Sequence, residues 1–170
     1  KDFIEPALKG TQNIIQAAKS TASIERVVLT SSCTAIYGDA NECELVPNNT
    51  LNEEIWNTTS SVSHQPYSYS KTIAEKEAWK LAEAQDQWSL VVINHSLVLG
   101  PTISGKSTSA SHDICLQIGD GTMKAGAPPF EIGMVDVRDV AEAHIRAAYI
   151  SGASGRHIVS LSLIHISEPT

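Results

Sequence analysis

The chain is short of positive charge, of cysteine and of long apolar runs, and each shortage argues against a class of protein. Of 170 residues, 12 are Lys or Arg against 19 Asp or Glu, a formal net charge of −7. A nucleic-acid-binding module would normally carry a basic face, so no nucleic-acid partner is expected. The balance does not argue against a phosphate-bearing cofactor, which needs only a few local donors. Cysteine occurs three times, as Cys33, Cys43 and Cys115. An odd number without metal-type spacing fits a reducing, cytoplasmic setting better than a disulfide scaffold. No apolar run reaches the ~18–20 residues of a membrane span, and no signal peptide is visible, so no membrane partner is expected. The histidines at 64, 95, 112, 144, 157 and 165 lack ligand spacing, and no metal site is expected. Internal repeats, low-complexity segments and an interdomain linker are also missing.

What is present suits one domain. Hydrophobic residues make up 42% of the chain, enough for a core. The first residue is Lys1, and the sequence opens inside a helical pattern. Phe3, Ile4, Ala7, Leu8, Thr11, Ile15 and Ala18 recur at spacings of three and four, an amphipathic stripe. Pro6 is tolerated only in a first turn, which predicts a helix start near Glu5 and an element upstream of it. At the other end, residues 161–170 read LSLIHISEPT. That string resembles the in-frame translation of a transposon-based sequencing adaptor, so residues 161–170 are expected to be a non-native tail. The informative part of the sequence is then expected to be residues 1–160.

Between these ends, strand and helix patterns alternate. Arg26 to Ser32 is a β-branched run ending in hydroxyl residues and predicts a buried parallel strand. Tyr37 to His64 is polar and rich in Gly, Asn and Pro, a long loop of the kind that is usually functional. Pro66 suits the first turn of a helix from about Tyr67 to Gln85. Ser89 to Asn94 predicts a second strand, Gly100 to Ser111 a loop, and Asp113 to Ile118 a short helix. Met134 to Val137 predicts a short strand leading into a helix over Val137 to Tyr149, with Asp136 and Asp139 as a capping pair. Arg156 to Ser160 predicts a last strand. This order predicts an α/β fold of right-handed βαβ units: part of a Rossmann-like, doubly wound parallel sheet.

Tyr67 and Lys71 are four residues apart at a helix start, so they project from one face one turn apart. An ammonium near a phenol favours phenolate and should lower the tyrosine's pKa from its usual ~10, which suits acid–base work near neutral pH. Ala74 and Ala78 continue that face and let another surface approach. Thr30, Ser31 and Ser32 close the preceding strand, at the end where ligands bind in open parallel sheets.

The segments Thr30-Ser-Ser32, Tyr67-Ser-Tyr-Ser-Lys71, Asn94-His-Ser-Leu-Val-Leu-Gly-Pro101 and Val135-Asp-Val-Arg-Asp-Val-Ala141 stand in this order. In that order they resemble the extended short-chain dehydrogenases/reductases, the NAD-dependent epimerase/dehydratase family. The branch is similar to the dihydroflavonol reductase and cinnamoyl-CoA reductase group. The resemblance runs from about Asp2 to Ser160 and implies a small-molecule carbonyl substrate and NADP or NAD as cofactor, NADP being favoured. It implies Tyr67 as general acid, Lys71 as the group that holds the nicotinamide ribose and depresses the Tyr67 pKa, and Ser32 as the group that orients the carbonyl, with Ser31 as the alternative. The segment Asn94 to Val98, with His95 and Leu97, is implied to line the nicotinamide through its backbone. His95 departs from the family, which usually has Pro there. The family's glycine-rich phosphate-binding turn has no counterpart in this sequence, so the 170-residue chain alone is expected to lack activity. A nucleotide-sugar epimerase or dehydratase using the same Ser, Tyr and Lys is the second reading, and a non-catalytic cofactor-sensing regulator the third.

Overall fold

The computed structural model describes residues 3–103, 105, 109–124, 126 and 133–161. Among the described residues four α-helices and five strands follow in the order α1 (Ile4–Lys19), β1 (Arg26–Thr30), α2 (Pro66–Glu83), β2 (Ser89–His95), β3 (Leu97–Leu99), α3 (Ala110–Gly119), β4 (Met134–Asp136), α4 (Val137–Tyr149) and β5 (Gly155–Val159). β1, β2 and β5 form one parallel sheet in the order β1-β2-β5. β3 and β4 form a second, two-stranded parallel sheet, and β3 falls between the expected second strand and the expected loop, where the sequence pattern assigns no element. The expected parallel α/β architecture is present. Of the expected tail only Leu161 is described, as a bridge to Met134; residues 162–170 lie outside the described residues.

β2 organises the core. Its side chains alternate across the sheet, as a period of two requires. Leu90 and Val92 face Ile15 and Ala18 of α1, Ala78 of α2, and Trp88. Val91 and Ile93 face the other way, onto Ala147 of α4. Val91, Val92 and Ile93 are at most 1% exposed, and each contributes about 1.5–3 kcal/mol by leaving water. One strand thus holds helices on both of its faces, the doubly wound arrangement that the continuous Leu-Val-Val-Ile run predicts.

The helix ends follow their sequence signals. Pro6 falls in the first turn of α1, and Pro66 opens α2. Asp136 caps α4: its carboxylate accepts from the Arg138 N–H at 2.8 Å, and Asp139 follows in the first turn. The other end of α4 is held by Arg26, whose guanidinium donates to the carbonyls of Ala147, Ile150 and Ser151 at 3.0, 2.6 and 3.2 Å. A cation placed there also complements the helix dipole. α1 lies against α2, where Ala18 meets Ala78 and Gln12 donates to Glu77 at 2.9 Å.

The polar stretch 37–64 is the expected long loop. It folds through short 3-10 turns at Ala40–Leu45 and Pro47–Asn49 and is tied down along its length. Asn57, 3% exposed, donates to Thr34 O at 2.7 Å and accepts from Ser60 N at 3.0 Å. Glu42 accepts from the N–H groups of Gly38 and Asp39 and from the Thr59 hydroxyl. Backbone donors without a strand partner are satisfied by side chains, which is why so polar a sequence can lie still.

Candidate active site

Tyr67 stands in the first turn of α2 and Lys71 one turn later. The entry to this helix is unusual: Gln65 takes φ +53°, left-handed for a residue that carries a side chain. Its amide donates to Asp39 at 2.6 Å, and His64 Nε2 lies 3.0 Å from the same carboxylate. The region 64–66 is held by Asp39, and Tyr67 is aimed from there.

At the carboxyl end of β1 the three hydroxyl residues diverge. Thr30 donates to His144 Nε2 at 2.8 Å, since His144 Nδ1–H is committed to Val140 O. Ser31 turns inward and donates to the buried carboxylate of Glu75. Ser32 accepts from Thr34 N at 3.2 Å and caps the short 3-10 turn Cys33–Ala35. Ser32 lines a cavity of about 400 Å³ with Cys33, Thr34, Tyr37, Tyr67, His95 and residues 96–98. The structure therefore separates the two serines: Ser31 belongs to the core network and is not among the cavity's lining residues.

The expected depression of the Tyr67 pKa by Lys71 is not what the geometry gives. Burial of the phenol raises the Tyr67 pKa above its ordinary value, and burial lowers that of Lys71. The Lys71 ammonium lies over the aromatic ring, 6.0 Å from its centroid. There it does little to stabilise a phenolate oxygen, so loss of hydration dominates. Tyr67 keeps its proton at neutral pH, the state a proton donor needs.

His95 ends β2 and also lines the cavity. Its Nδ1 lies 2.7 Å from Ser96 O; a carbonyl only accepts, so Nδ1 carries the hydrogen and Nε2 is an acceptor in the neutral ring. Burial lowers the His95 pKa, and Lys71 and His144 push it the same way. The Leu97 N–H is taken by Gly133 O at 2.9 Å, so Leu97 lines the cavity with that donor already used.

The donor set fits the nicotinamide–ribose end of a dinucleotide. Among the described residues Lys71 has no hydrogen-bond or ion-pair partner although it is desolvated. The Thr34 and Ser96 hydroxyls line the cavity buried and unpaired. A half-buried ammonium and orphaned hydroxyls suit uncharged hydroxyl and carboxamide groups. A second cavity of about 690 Å³ opens beside the first, sharing Val98, Ser109 and Ser111 and reaching Cys115 and Arg138. Among the described residues no cluster of His, Cys, Asp or Glu could hold a metal ion, and no helix is long and apolar enough to cross a membrane.

Sequence reasoning overlooked Glu75 and Arg156. Glu75 is 1% exposed, two turns beyond Tyr67 on α2. Arg156, from β5, donates to it at 2.6 Å. The signal was present as a third chemical residue at the spacing of Tyr67 and Lys71, but a Glu in a helix rich in Lys and Glu reads as a solvated face. Trp56 is flanked by cations, with Arg156 3.9 Å and Lys76 5.2 Å from its ring centroid.

The chain belongs to the NAD dependent epimerase/dehydratase family, whose model matches residues 1–159. It is 40% identical over 169 residues to tetraketide alpha-pyrone reductase 2 of Arabidopsis thaliana, covering 98% of this chain and 51% of that protein. It is 36% identical over 173 residues to the cinnamoyl-CoA reductase CAD2 of Medicago truncatula, covering 98% of this chain and 50% of the relative. The crystal structure of Gre2 from Candida albicans in complex with NADPH superposes with a TM-score of 0.72 at 34% identity, over 93% of this chain and 50% of that one. The chain thus spans about half the length of the relatives it matches.

Proposed function

We propose that this chain carries the proton-donating half of an NADPH-dependent carbonyl reductase active site. The observation that carries the reading is the meeting of Ser32 and Tyr67 in one cavity, with Lys71 one turn behind Tyr67 on the same helix. The substrate carbonyl oxygen would accept hydrogen bonds from Ser32 and Tyr67. Tyr67, held protonated by burial, would pass its proton to that oxygen as negative charge develops there. Lys71 would donate to the ribose hydroxyls and thereby acquire the acceptors it otherwise lacks. The wall from His95 to Val98 would pack against the nicotinamide, which supplies the hydride when bound.

The relatives at 34–40% identity are named as reductases or stand as an NADPH complex, which favours net carbonyl reduction over cofactor-neutral epimerisation of a nucleotide sugar. The retained Tyr67 counts against a purely sensory role. The test is Tyr67→Phe in the protein that carries these residues, assayed by NADPH consumption with small aldehydes and ketones. Turnover should fall ~10²-fold or more, as loss of a general acid predicts. Persistence within a few-fold would remove Tyr67 from the chemistry. Interconversion of a nucleotide sugar without net NADPH oxidation would replace the reductase reading by the epimerase one. The remaining sequence expectations, a cytoplasmic location and a non-native tail at 161–170, stand as proposals beside this one.

A further inference from the structure

Among the described residues one densely hydrogen-bonded buried cluster is not used by the reaction outlined above. Glu75 and Arg156 have side chains 0% and 6% exposed, and their ion pair is 2.6 Å long. One Glu75 oxygen takes the Arg156 Nε–H. The other takes the Ser31 hydroxyl and the Asn94 amide, the latter at 2.7 Å. Asn94 also donates to the carbonyl of Ser32 at 3.1 Å. The rest of the Arg156 fork donates to Glu53 O at 2.9 Å, Ile55 O at 2.6 Å and Ala35 O at 3.3 Å, and its central carbon lies over the Trp56 ring.

These bonds join five pieces of chain: the end of β1, the end of β2, α2, β5 and the segment 53–56. Two of them carry the candidate chemistry. Ser32 follows the serine that Glu75 holds, and its own carbonyl is held by Asn94. Tyr67 and Lys71 stand two turns and one turn before Glu75 on the same helix. A buried ion pair is a poor source of stability, because desolvation consumes most of its attraction. It does impose direction, since an Arg fork and a carboxylate with four acceptor sites tolerate little rotation.

We propose that Glu75 and Arg156 are positioning residues, which set the Ser32 hydroxyl against the Tyr67–Lys71 face by tying the β1 and β2 ends to α2. The claim about turnover rests on the reductase reading, whereas the claim about geometry does not. Misplacing reacting groups by about 1 Å costs up to ~10²-fold in rate, so the expected effect is large relative to any change in binding.

The test is made in the full-length protein that carries these residues and compares Glu75→Gln, Arg156→Met and the double variant with its unmodified form. Glu75→Gln leaves the Arg156 charge unbalanced, Arg156→Met leaves the Glu75 carboxylate and three carbonyls without their donor, and each should lower the unfolding temperature. The double variant removes the charge from both sides and should recover the part of that loss that comes from the unpaired charge, while the carbonyls of Glu53, Ile55 and Ala35 stay without their donor. If the pair positions the site, the recovered double variant still shows faster amide hydrogen exchange at residues 31–36 and 66–71. Its kcat for NADPH-dependent aldehyde reduction stays at least ~10-fold down, with KM for NADPH within about twofold. If the pair only supports the fold, the double variant regains exchange protection together with its melting temperature, and the proposal is overturned. Absence of any NADPH-dependent reduction in the unmodified protein would overturn the reductase reading alone, and hydrogen exchange would then decide the positioning claim by itself.

Discussion

Lys71→Met should leave the fold as stable as before or more so, while weakening NADPH binding. Methionine keeps an unbranched stem of similar length and removes the ammonium. In the folded chain that ammonium is half-buried and has no acceptor among the described residues, and burial lowers its pKa below 10.5. An unfolded chain solvates it fully. With the folded value the lower one, the charged group opposes folding at neutral pH, where both states are protonated. That opposition fades as pH rises through the folded value and is gone above 10.5. The variant should therefore be at least as stable as the parent at pH 7, with a melting temperature unchanged or raised. The advantage over the parent should shrink as pH climbs toward 10.5. Cofactor affinity should move the other way. Charge-assisted hydrogen bonds contribute about 1.5–3 kcal/mol, so Kd for NADPH should weaken ~10–100-fold. Thermal unfolding followed by circular dichroism at several pH values, with NADPH fluorescence titration, measures both. A loss of more than about 1 kcal/mol on removing the charge would mean that Lys71 has a stabilising partner in the folded state. Unchanged NADPH affinity would take Lys71 out of the cofactor site.

Three further outcomes follow from the same geometry. Asp136→Asn keeps an N-cap acceptor but loses the ion pair to Arg138, which holds the carboxyl at about 2, below its ordinary 3.8. With the folded value depressed, the parent's stability advantage should be full above pH 3.8 and disappear as pH falls through about 2, which acid titration of both proteins would reveal. Val92→Ala removes two methyl groups from a fully buried site at the centre of the sheet and should cost about 1.5–3 kcal/mol in urea unfolding; a cost under 0.5 kcal/mol would mean that the site collapses around the change. Ser32→Ala should lower kcat for aldehyde reduction ~10-fold or more while Ser31→Ala acts mainly on stability, and the reverse assignment would show that the serine register has been misread.

The sheet was legible because its strands obey one-dimensional rules. A β-branched run bounded by hydroxyl or polar residues needs no partner to be read as a buried strand, and β1, β2 and β5 each fall within one or two residues of the expected segment. The helices were legible from their stripes and prolines. What escaped was structure made by long-range polar contacts. The stretch 37–64 reads only as a long polar loop because the ties within it come from Asn57, Glu42 and Arg156 reaching across sequence, and no local pattern announces such reach. β3 escaped for a similar reason: three residues, Leu97 to Leu99, pair with Met134 to Asp136 about 37 positions away.

The site divides along the same line. The i, i+4 spacing of Tyr67 and Lys71 placed both residues on one helix face, because helical geometry alone dictates it. The sign of the Tyr67 pKa shift could not be obtained that way. Spacing brings the ammonium within about one turn of the phenol, but whether it meets the oxygen or the ring depends on the exit direction of each side chain. Here it meets the ring, and burial decides the outcome. The choice between Ser31 and Ser32 likewise turns on a residue 44 positions away from the first of them, Glu75, which draws Ser31 into the core. A strand end with two adjacent serines presents one to each side. Only the partner on the buried side determines which hydroxyl remains at the cavity, and that partner becomes visible only once α2 is laid across the sheet.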